Sequence, residues 1–314
     1  MVREPSKILV TGGAGFIGSH LVDKLIDADA DVTVLDNLET GKIENVTQNE
    51  GKPNFRLVKG DIRDLNLVKQ LVEDVEAVVN FAAIGSVQQS VEDPLLVNDV
   101  NVGGTLTMLK ASLGSDLKRF IQISSAAIYG DVQTLPVRED FSPMPLSPYA
   151  VSKLAAENYA VVFNHVYGLE TVCLRYFNVY GPRQANNPYS GAITIFANEL
   201  LGNQAPHIFG DGEQTRDFVF VEDVVSATML ALTEKDAAGE IFNVASGNAT
   251  TINEIVQILQ ELTGKEYLKP IHEEPREGDI RHSYASIEKA NKILGYTPKI
   301  SLEKGLKKLL TSIF

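Results

Sequence analysis

Short apolar runs alternate with amphipathic segments over the first 180 residues of the chain. The runs are rich in valine, isoleucine and leucine and are too short to be buried helices, so they predict strands buried on both faces. These predicted strands comprise residues 8–10, 31–35, 55–58, 77–81, 120–123 and 171–176. The segments between them predict helices that end near residue 27 and span residues 64–73, 94–113 and 148–167. No hairpin signal joins consecutive strands, which favours a doubly wound parallel sheet in an α/β fold.

The pattern becomes less regular after residue 181. Helices are predicted at residues 193–201, 222–232, 252–262, 286–294 and 302–313, and short strands at 207–210 and 216–221. We therefore predict a large domain of residues 1–180 and a smaller mixed α/β domain of residues 181–314. Within the second part, the segment 222–244 is expected to return and cover the large sheet.

A glycine-rich turn follows the first predicted strand. Gly12, Gly15 and Gly18 are spaced three residues apart and open the first helix. Such a turn lets the backbone approach a pyrophosphate, which the free N–H groups of the first helical turn receive. Asp36 ends the next strand, 24 residues after Gly12, where an acid that binds a ribose diol is expected. The sequence thus predicts a Rossmann-like NAD site rather than one for NADP, although such glycines also serve helix–strand packing.

Several polar or small residues come directly after the predicted strands. Asp36, Asp61, Ala82 and Ser125 each follow a different strand. Because the carboxyl ends of parallel strands meet at one edge of the sheet, we expect these residues to line a single ligand cleft there. Asp61 is expected near an adenine, with a solvent-exposed loop acid as its alternative.

A tyrosine and a lysine share one face of the predicted helix 148–167. Tyr149 and Lys153 are four residues apart, a spacing that is also common on ordinary surface helices. An isolated tyrosine has a pKa near 10, and a neighbouring ammonium group and a nicotinamide cation would both lower it. With Ser125 sharing a hydrogen bond with the reacting hydroxyl, this set would remove a proton from an alcohol while hydride leaves its carbon.

Composition excludes several classes of protein. The chain has 314 residues, of which 44% are hydrophobic and 22% are charged, as in ordinary globular proteins. A net charge of −13 argues against nucleic-acid binding, and no apolar run is long enough to span a membrane. One cysteine, Cys173, and five histidines without ligand spacing predict no metal site. The N-terminus leads almost directly into the first strand, so we expect no signal peptide and a cytoplasmic protein.

Together these motifs resemble the extended short-chain dehydrogenase/reductase family over essentially the whole chain. The resemblance rests on residues 11–18, Asp36, Asp61 and Ile62, Ser124 and Ser125, and the Tyr149/Lys153 pair. Within that family the chain is similar to the UDP-hexose 4-epimerases in three further motifs, residues 174–183, 210–218 and 276–279.

The resemblance implies roles for individual residues. The catalytic residues would be Ser125, Tyr149 and Lys153. The NAD-binding residues would be Gly12, Gly15, Phe16, Ile17, Gly18, Asp36, Asn37, Asp61, Ile62, Phe81, Ala82, Ala83, Tyr149, Lys153 and Tyr176. The substrate-binding residues would be Ser86, Ser125, Asn178, Arg216, Arg276, Asp279 and Ser283, with Asn178 and the two arginines on the UDP diphosphate and Asp279 on its ribose.

The activity implied by the resemblance is NAD-dependent 4-epimerisation of UDP-glucose and UDP-galactose through a 4-keto sugar, with tightly held NAD that is regenerated in each cycle. Related 4,6-dehydratases carry an acid pair after the active-site Ser/Thr, where this chain has Ala126 and Ala127. Ser283, where a bulky aromatic residue would crowd an N-acetyl group, predicts that UDP-GlcNAc and UDP-GalNAc are also accepted. Alternatives are a UDP-glucuronate 4-epimerase and, more remotely, a non-catalytic NAD-binding sensor.

The family also implies a homodimer. Its members pair through two helices from each subunit, which here are the predicted helix that starts at Pro94 and the helix that carries Tyr149. Leu154, Ala155, Val161 and Val162 are compatible with such an interface and equally with packing in the core.

Overall fold

A computed structural model describes residues 6–185, 191–275 and 280–313. In chain order its strands are β1 (Lys7–Thr11), β2 (Asp31–Asp36), β3 (Phe55–Lys59), β4 (Ala77–Asn80), β5 (Arg119–Ser125), β6 (Thr171–Tyr176), β7 (Asn178–Tyr180), β8 (His207–Phe209), β9 (Thr215–Arg216), β10 (Phe218–Phe220), β11 (Ile241–Val244), β12 (Thr250–Thr251) and β13 (Ile271–Glu273). Seven of them form one sheet in the order β11-β6-β5-β4-β1-β2-β3, and every pair in this sheet is parallel. The predicted fold class, a doubly wound α/β sheet, is confirmed.

The described residues form eleven α-helices, six of which cover the two faces of this sheet. They are α1 (Phe16–Asp27), α2 (Leu65–Glu73), α3 (Val87–Glu92), α4 (Pro94–Asn98), α5 (Thr105–Ser112), α6 (Pro148–Tyr167), α7 (Ala192–Leu201), α8 (Val221–Thr233), α9 (Ile252–Thr263), α10 (Glu288–Leu294) and α11 (Leu302–Ile313). Apolar residues of α1, α8 and α10 pack on one face, and those of α2, α5 and α6 pack on the other. Both faces are therefore buried, which explains why the strands consist of continuous apolar runs.

The last strand of the sheet comes from the C-terminal half of the chain. Strand β11 pairs with β6, with Phe242 opposite Leu174, and α8 packs on the same sheet. Both elements overlap the segment 222–244, which the sequence predicts to return and cover the large sheet. The boundary between the two predicted domains stays a prediction.

One predicted helix is irregular. Residues 94–113 form α4, then a π-helical stretch at Asp99–Gly104, and then α5. Gly104 packs directly on the side chain of Ile62, where a Cβ atom has no room. Within the π stretch, the side-chain amide of Asn101 forms hydrogen bonds with the backbone of Ile84. A π-helical turn inside a helix frequently marks a functional position.

The smaller C-terminal core packs around helices α7, α9 and α11. Its buried residues include Phe196, Phe220, Ile255 and Leu306. Three two-stranded pairs border this core, β7 with β10, β8 with β13, and β9 with β12. Strand β7 carries Asn178, shortly after the end of β6, and strand β9 carries Arg216.

Asp217 joins the separate segments at this junction. Its fully buried carboxylate accepts hydrogen bonds from the N–H and hydroxyl groups of Ser246 and from the N–H groups of Gly247 and Ala285, at 2.7–3.2 Å. Its backbone carbonyl accepts two more from Asn178, at 3.0 and 3.2 Å. Asp217 therefore joins the segments at 246–247 and 285 to Asn178, a predicted substrate-binding residue.

Candidate active site

The glycine turn brings its backbone close to the end of β4. Gly12 has φ +64°, its N–H donates to the carbonyl of Leu35 at 2.8 Å, and a Cβ built on it would lie 2.9 Å from the amide nitrogen of Ala82. Helix α1 begins at Phe16 with Gly15 as its N-cap, and no side chain caps it. Free N–H groups at a helix N-terminus favour an anion. The turn, with no side chain to fill it, fits a dinucleotide pyrophosphate.

Asp36 lies at the end of β2 and is 6% exposed. Its carboxylate accepts hydrogen bonds from the N–H groups of Ala14 at 3.0 Å and Leu38 at 2.9 Å. Burial raises the pKa of Asp36, and these two hydrogen bonds act in the opposite direction. Each carboxylate oxygen can accept a second hydrogen bond, so Asp36 keeps acceptor capacity for a ribose hydroxyl.

Asp61 follows β3 and is held by an arginine. Arg63 donates to both oxygens of the Asp61 carboxylate, at 2.9 and 2.7 Å, and also donates to Asp99 at 2.6 Å. The hydrogen bonds from Arg63 lower the pKa of Asp61. Asn37, at the end of β2, approaches the same carboxylate at 3.5 Å. The predicted adenine-side residues Asn37 and Asp61 therefore lie next to each other.

A buried amide network crosses the sheet beneath the cleft. Asn80 accepts from the hydroxyl of Thr11 at 2.6 Å and donates to Gln122 at 2.9 Å and to Thr105 at 3.2 Å. The Thr11 hydroxyl also accepts from the N–H of Ala82, at 3.2 Å. Because these polar groups satisfy one another, they fix the ends of β1, β4 and β5 relative to each other.

A second set of hydrogen bonds connects the cleft to helix α6. Asn101 accepts from the N–H of Ile84 at 2.8 Å, and donates to the carbonyl of Ile84 at 3.1 Å and to the hydroxyl of Ser152 at 2.9 Å. Ser152 in turn donates to the carbonyl of Tyr149 at 2.7 Å. The loop after β4, which carries Ser86 as the N-cap of α3, is thus tied to the helix of the tyrosine–lysine pair.

Ser125 and Tyr149 meet at the carboxyl end of β5. Helix α6 starts as the sequence predicts, with Ser147 as N-cap, its hydroxyl accepting from the N–H of Ala150, and Pro148 at the first helical position. Burial raises the pKa of Tyr149, and a hydrogen bond with Ser125 acts in the opposite direction. The raised pKa differs from the lowered value that the sequence led us to expect, because in this structure desolvation of the phenol outweighs the favourable contacts.

Lys153 lies one turn further along α6 and is 4% exposed. Burial lowers the pKa of Lys153 and the charge of Glu157 raises it, and the pKa that results is about 8. Glu157 is itself 1% exposed and forms an ion pair with Arg175 of β6 at 2.7 Å. The lysine therefore belongs to a buried cluster of charges.

Tyr176 ends β6, opposite Ser125 in the register of the sheet. Its hydroxyl is hydrogen-bonded to that of Thr228 at 2.6 Å, and its ring lies 6.4 Å from the ring of Phe81. Both rings pack on the same core cluster, at the edge of the sheet where Ser125 is half-buried. These two predicted cofactor-binding residues therefore contribute an aromatic surface beside Ser125.

Two of the predicted substrate residues border a cavity of about 520 Å³ in the C-terminal part of the chain. Asn178 and Arg216 border it together with Phe209 and Phe218. Glu199 and His207, which are hydrogen-bonded to each other at 3.0 Å, lie on its wall. Ser283 is half-buried, and its N–H donates to the carbonyl of Thr215, next to Arg216. Arg276 and Asp279 lie outside the described residues.

Some residues at the site are not predicted from the sequence. The Glu157–Arg175 pair lies behind the tyrosine–lysine pair, and the spacing of Tyr149, Lys153 and Glu157 at intervals of four residues is the signal that could have revealed it. Asp217 has no comparable signal, because its role depends on segments that are far apart in the sequence. In the described part of the chain, no cluster of His, Cys, Asp or Glu could hold a metal ion, and no helix is long and apolar enough to cross a membrane.

Comparison with known proteins gives consistent matches over the whole chain. The family model described as GDP-mannose 4,6-dehydratase matches residues 9–309. A putative UDP-glucose 4-epimerase of Methanocaldococcus jannaschii is 44% identical over 96% of this chain and 97% of its own length. A UDP-glucuronate 4-epimerase of Thermodesulfobacterium geofontis is 36% identical over 96% of this chain and 94% of its own length.

Solved structures show the same similarity. A UDP-glucose 4-epimerase of Thermotoga maritima with UDP-glucose has a TM-score of 0.92 and 41% identity, covering 98% of both chains. A UDP-N-acetylglucosamine 4-epimerase of Methanobrevibacter ruminantium in complex with UDP-N-acetylmuramic acid has a TM-score of 0.94 and 36% identity, covering 99% of both chains. A UDP-glucose 4-epimerase of Thermus thermophilus in complex with NAD has a TM-score of 0.88 and 37% identity, covering 98% of both chains.

Proposed function

The chain belongs to the extended short-chain dehydrogenase/reductase family, in the group matched by the GDP-mannose 4,6-dehydratase model, and we propose that it is an NAD-dependent UDP-hexose 4-epimerase. One observation carries the proposal. Ser125 and Tyr149 meet at the sheet edge that bears the glycine turn, while the residues after Ser125 are alanines. Without an acid at positions 126 and 127, the elimination that a dehydratase performs lacks its proton shuttle.

The cofactor is NAD, held at the carboxyl edge of the sheet. The glycine turn and the N-terminus of α1 would receive the pyrophosphate, and Asp36 would accept hydrogen bonds from the adenosine ribose. A buried carboxylate at this position repels a 2′-phosphate, which favours NAD over NADP. When bound, NAD⁺ supplies a hydride acceptor for the sugar C4 and, after reduction, the hydride donor.

Tyr149 is proposed to act as the base and later as the acid. Its phenolate oxygen would take the proton of the sugar C4 hydroxyl and, as a phenol, return it after the 4-keto sugar has turned over in the pocket. Ser125 would donate a hydrogen bond to the reacting oxygen, and Lys153 would provide a positive charge that favours the phenolate. Burial of the phenol raises its pKa and so works against the phenolate, an effect that a neighbouring positive charge would oppose.

The far end of the substrate would be held by the cavity that Asn178 and Arg216 border. Arg216 supplies a permanent charge for the UDP diphosphate, and Asn178, fixed by the carbonyl of Asp217, supplies an amide. Binding energy from the nucleotide would thus retain a 4-keto sugar that is otherwise free to rotate.

We propose UDP-glucose and UDP-galactose as substrates, and their N-acetylated counterparts as further substrates. Ser283 supports the wider range, because it is a small side chain beside Arg216 in the substrate region. The similarity to a UDP-N-acetylglucosamine 4-epimerase supports it as well.

The test is a product profile with purified enzyme and no added cofactor. UDP-glucose, UDP-galactose, UDP-GlcNAc, UDP-GalNAc and UDP-glucuronate are incubated separately, and the products are resolved by chromatography. We expect C4 epimers of the four neutral sugars. Turnover of UDP-glucuronate alone would identify a uronate epimerase, and a 4-keto-6-deoxy product would identify a dehydratase; either result would refute the proposal.

Tyr149→Phe separates an enzyme from a cofactor-binding sensor. We expect turnover to fall by roughly 10²–10⁴-fold, the usual contribution of a general acid–base group, while NAD stays bound. Tyr167→Phe, which changes an exposed tyrosine on the same helix, is the control and should leave turnover unchanged.

The proposed assembly is a homodimer formed by α4 and α6. Leu95 of α4 is 82% exposed, and Val162 and Val166 of α6 are 48% and 61% exposed, although these helices belong to a well-packed layer. Exposed apolar residues on neighbouring helices are typical of a surface that pairs with a second copy.

A further inference from the structure

Three buried side chains form a row of charges behind the tyrosine. Lys153 and Glu157 lie one turn apart on α6 and are 4% and 1% exposed. Arg175 of β6 donates to both oxygens of the Glu157 carboxylate, from Nε at 3.0 Å and from Nη2 at 2.7 Å. The guanidinium group thus holds both oxygens of a buried carboxylate that lies one helical turn from Lys153.

Arg175 is fixed on its other side as well. Its Nη1 donates to the hydroxyl of Tyr129 at 2.6 Å and to the carbonyl of Glu139 at 3.1 Å. The Tyr129 hydroxyl donates onward to the amide oxygen of Asn243 at 2.7 Å. With these partners the guanidinium has little freedom to leave Glu157.

Stability alone is a weak explanation for this arrangement. The desolvation of two buried charges costs about as much free energy as their attraction gains. An apolar pair of similar volume therefore often makes a protein equally stable or more stable. The charged group that acts on Lys153 is Glu157 on its own helix, and Cys173 of β6 is the neutral titratable group beside both. Within this set the Glu157 carboxylate is the counter-charge of Lys153.

We infer that Glu157 is a positioning residue that keeps Lys153 in its ammonium form during turnover, and that Arg175 fixes the Glu157 carboxylate for this purpose. The inference rests on the proposed function, in which the charge of Lys153 favours the phenolate of Tyr149. Burial works against the ammonium form and lowers the pKa of Lys153, and Glu157 offsets part of that effect. The pKa that results is about 8. Loss of the carboxylate would leave the buried ammonium group of Lys153 without this opposing charge.

The experiment compares two substitutions at one position. Glu157→Gln removes the charge and keeps the size of the side chain, whereas Glu157→Asp keeps the charge. The turnover number for the UDP-sugar is measured from about pH 6 to about pH 10. We expect the basic limb of the profile, where Lys153 loses its proton, to move to lower pH by about 1–3 units in Glu157→Gln and to stay near the wild-type position in Glu157→Asp.

A matched control tests whether any lost ion pair gives the same result. Glu170 pairs with Arg119, a buried arginine of the same sheet, at 3.0 Å. Glu170→Gln should leave the basic limb unchanged. If Glu157→Gln does not fold, Glu157→Gln/Arg175→Met removes both charges of the ion pair, and a downward shift is again expected because the lost carboxylate is the group that raises the pKa of Lys153.

The inference would be overturned if the basic limb of the pH profile lay at the same pH in the wild type and in the charge-removing variant that folds. A fall in the turnover number alone would not rescue it. A second readout does not depend on the reaction. The ultraviolet absorbance is titrated with pH in a protein with Tyr149 and in the same protein with Tyr149→Phe, and the difference reports the ionisation of Tyr149. Its apparent pKa should rise in the charge-removing variant and not in Glu157→Asp. If the wild type epimerises no UDP-sugar, the proposed function fails, and this titration still decides the role of Glu157.

Discussion

Replacing Gly12 with alanine tests the close approach of the glycine turn to β4. Gly12 has φ +64°, a left-handed conformation that costs an ordinary residue about 1–2 kcal/mol. The new Cβ would also lie 2.9 Å from the nitrogen and 3.0 Å from the Cα of Ala82, both backbone atoms. Overpacking of this kind costs about 1–3 kcal/mol, so we expect a total destabilisation of about 2–5 kcal/mol.

The comparison is with Gly264→Ala, because Gly264 has φ +66° and nothing lies within 4 Å of its Cβ position. This control should cost only the backbone part, about 1–2 kcal/mol, and keep its cofactor. The assay is the midpoint of denaturant unfolding together with the NAD released from the purified protein by acid. Equal destabilisation of the two variants, with full NAD content in Gly12→Ala, would refute the steric reasoning.

Three further predictions address other parts of the molecule. Leu95→Glu should convert the proposed dimer to a monomer in analytical ultracentrifugation, because Leu95 is 82% exposed on α4; an unchanged mass would contradict the interface. Ser283→Tyr should lower turnover of N-acetylated relative to plain UDP-hexoses, and an unchanged ratio would refute the role of Ser283. The hydrogen bond from Lys118 lowers the pKa of Glu76 to about 2. The stability of the fold that ionised Glu76 contributes is therefore present above the unfolded pKa near 4.5 and is lost as pH falls towards 2. The difference in unfolding midpoint between wild type and Glu76→Gln should shrink over that range.

The large sheet could be predicted because each of its strands carries a local signal. Apolar runs marked β1 to β6, and the glycine turn located the first connection. Strand β11 lacks such a signal, since its four residues gain their place only by pairing with β6. The π-helical stretch was also missed, because the tight packing of Gly104 on Ile62 depends on a contact between distant segments.

Residue identities at the site could be predicted more readily than their energetics. The positions of Ser125 and Tyr149 follow from where a strand ends and a helix begins, and both are local features. The pKa of Tyr149 depends instead on burial, which the sequence does not report, and the expected direction differs from that in the structure. The contacts of Asp217 depend on three segments that come together only in the fold.

The late arrival of β11 has a consequence for how the protein is made. The edge of β6 that β11 covers is formed entirely of buried residues, and it is translated about 65 residues before its partner. Until then a nascent chain on the ribosome presents an unpaired strand edge, which is a template for association with other chains. A fragment that stops after β6 should therefore need a chaperone or aggregate, and the dinucleotide fold matures only when its C-terminal half has been synthesised.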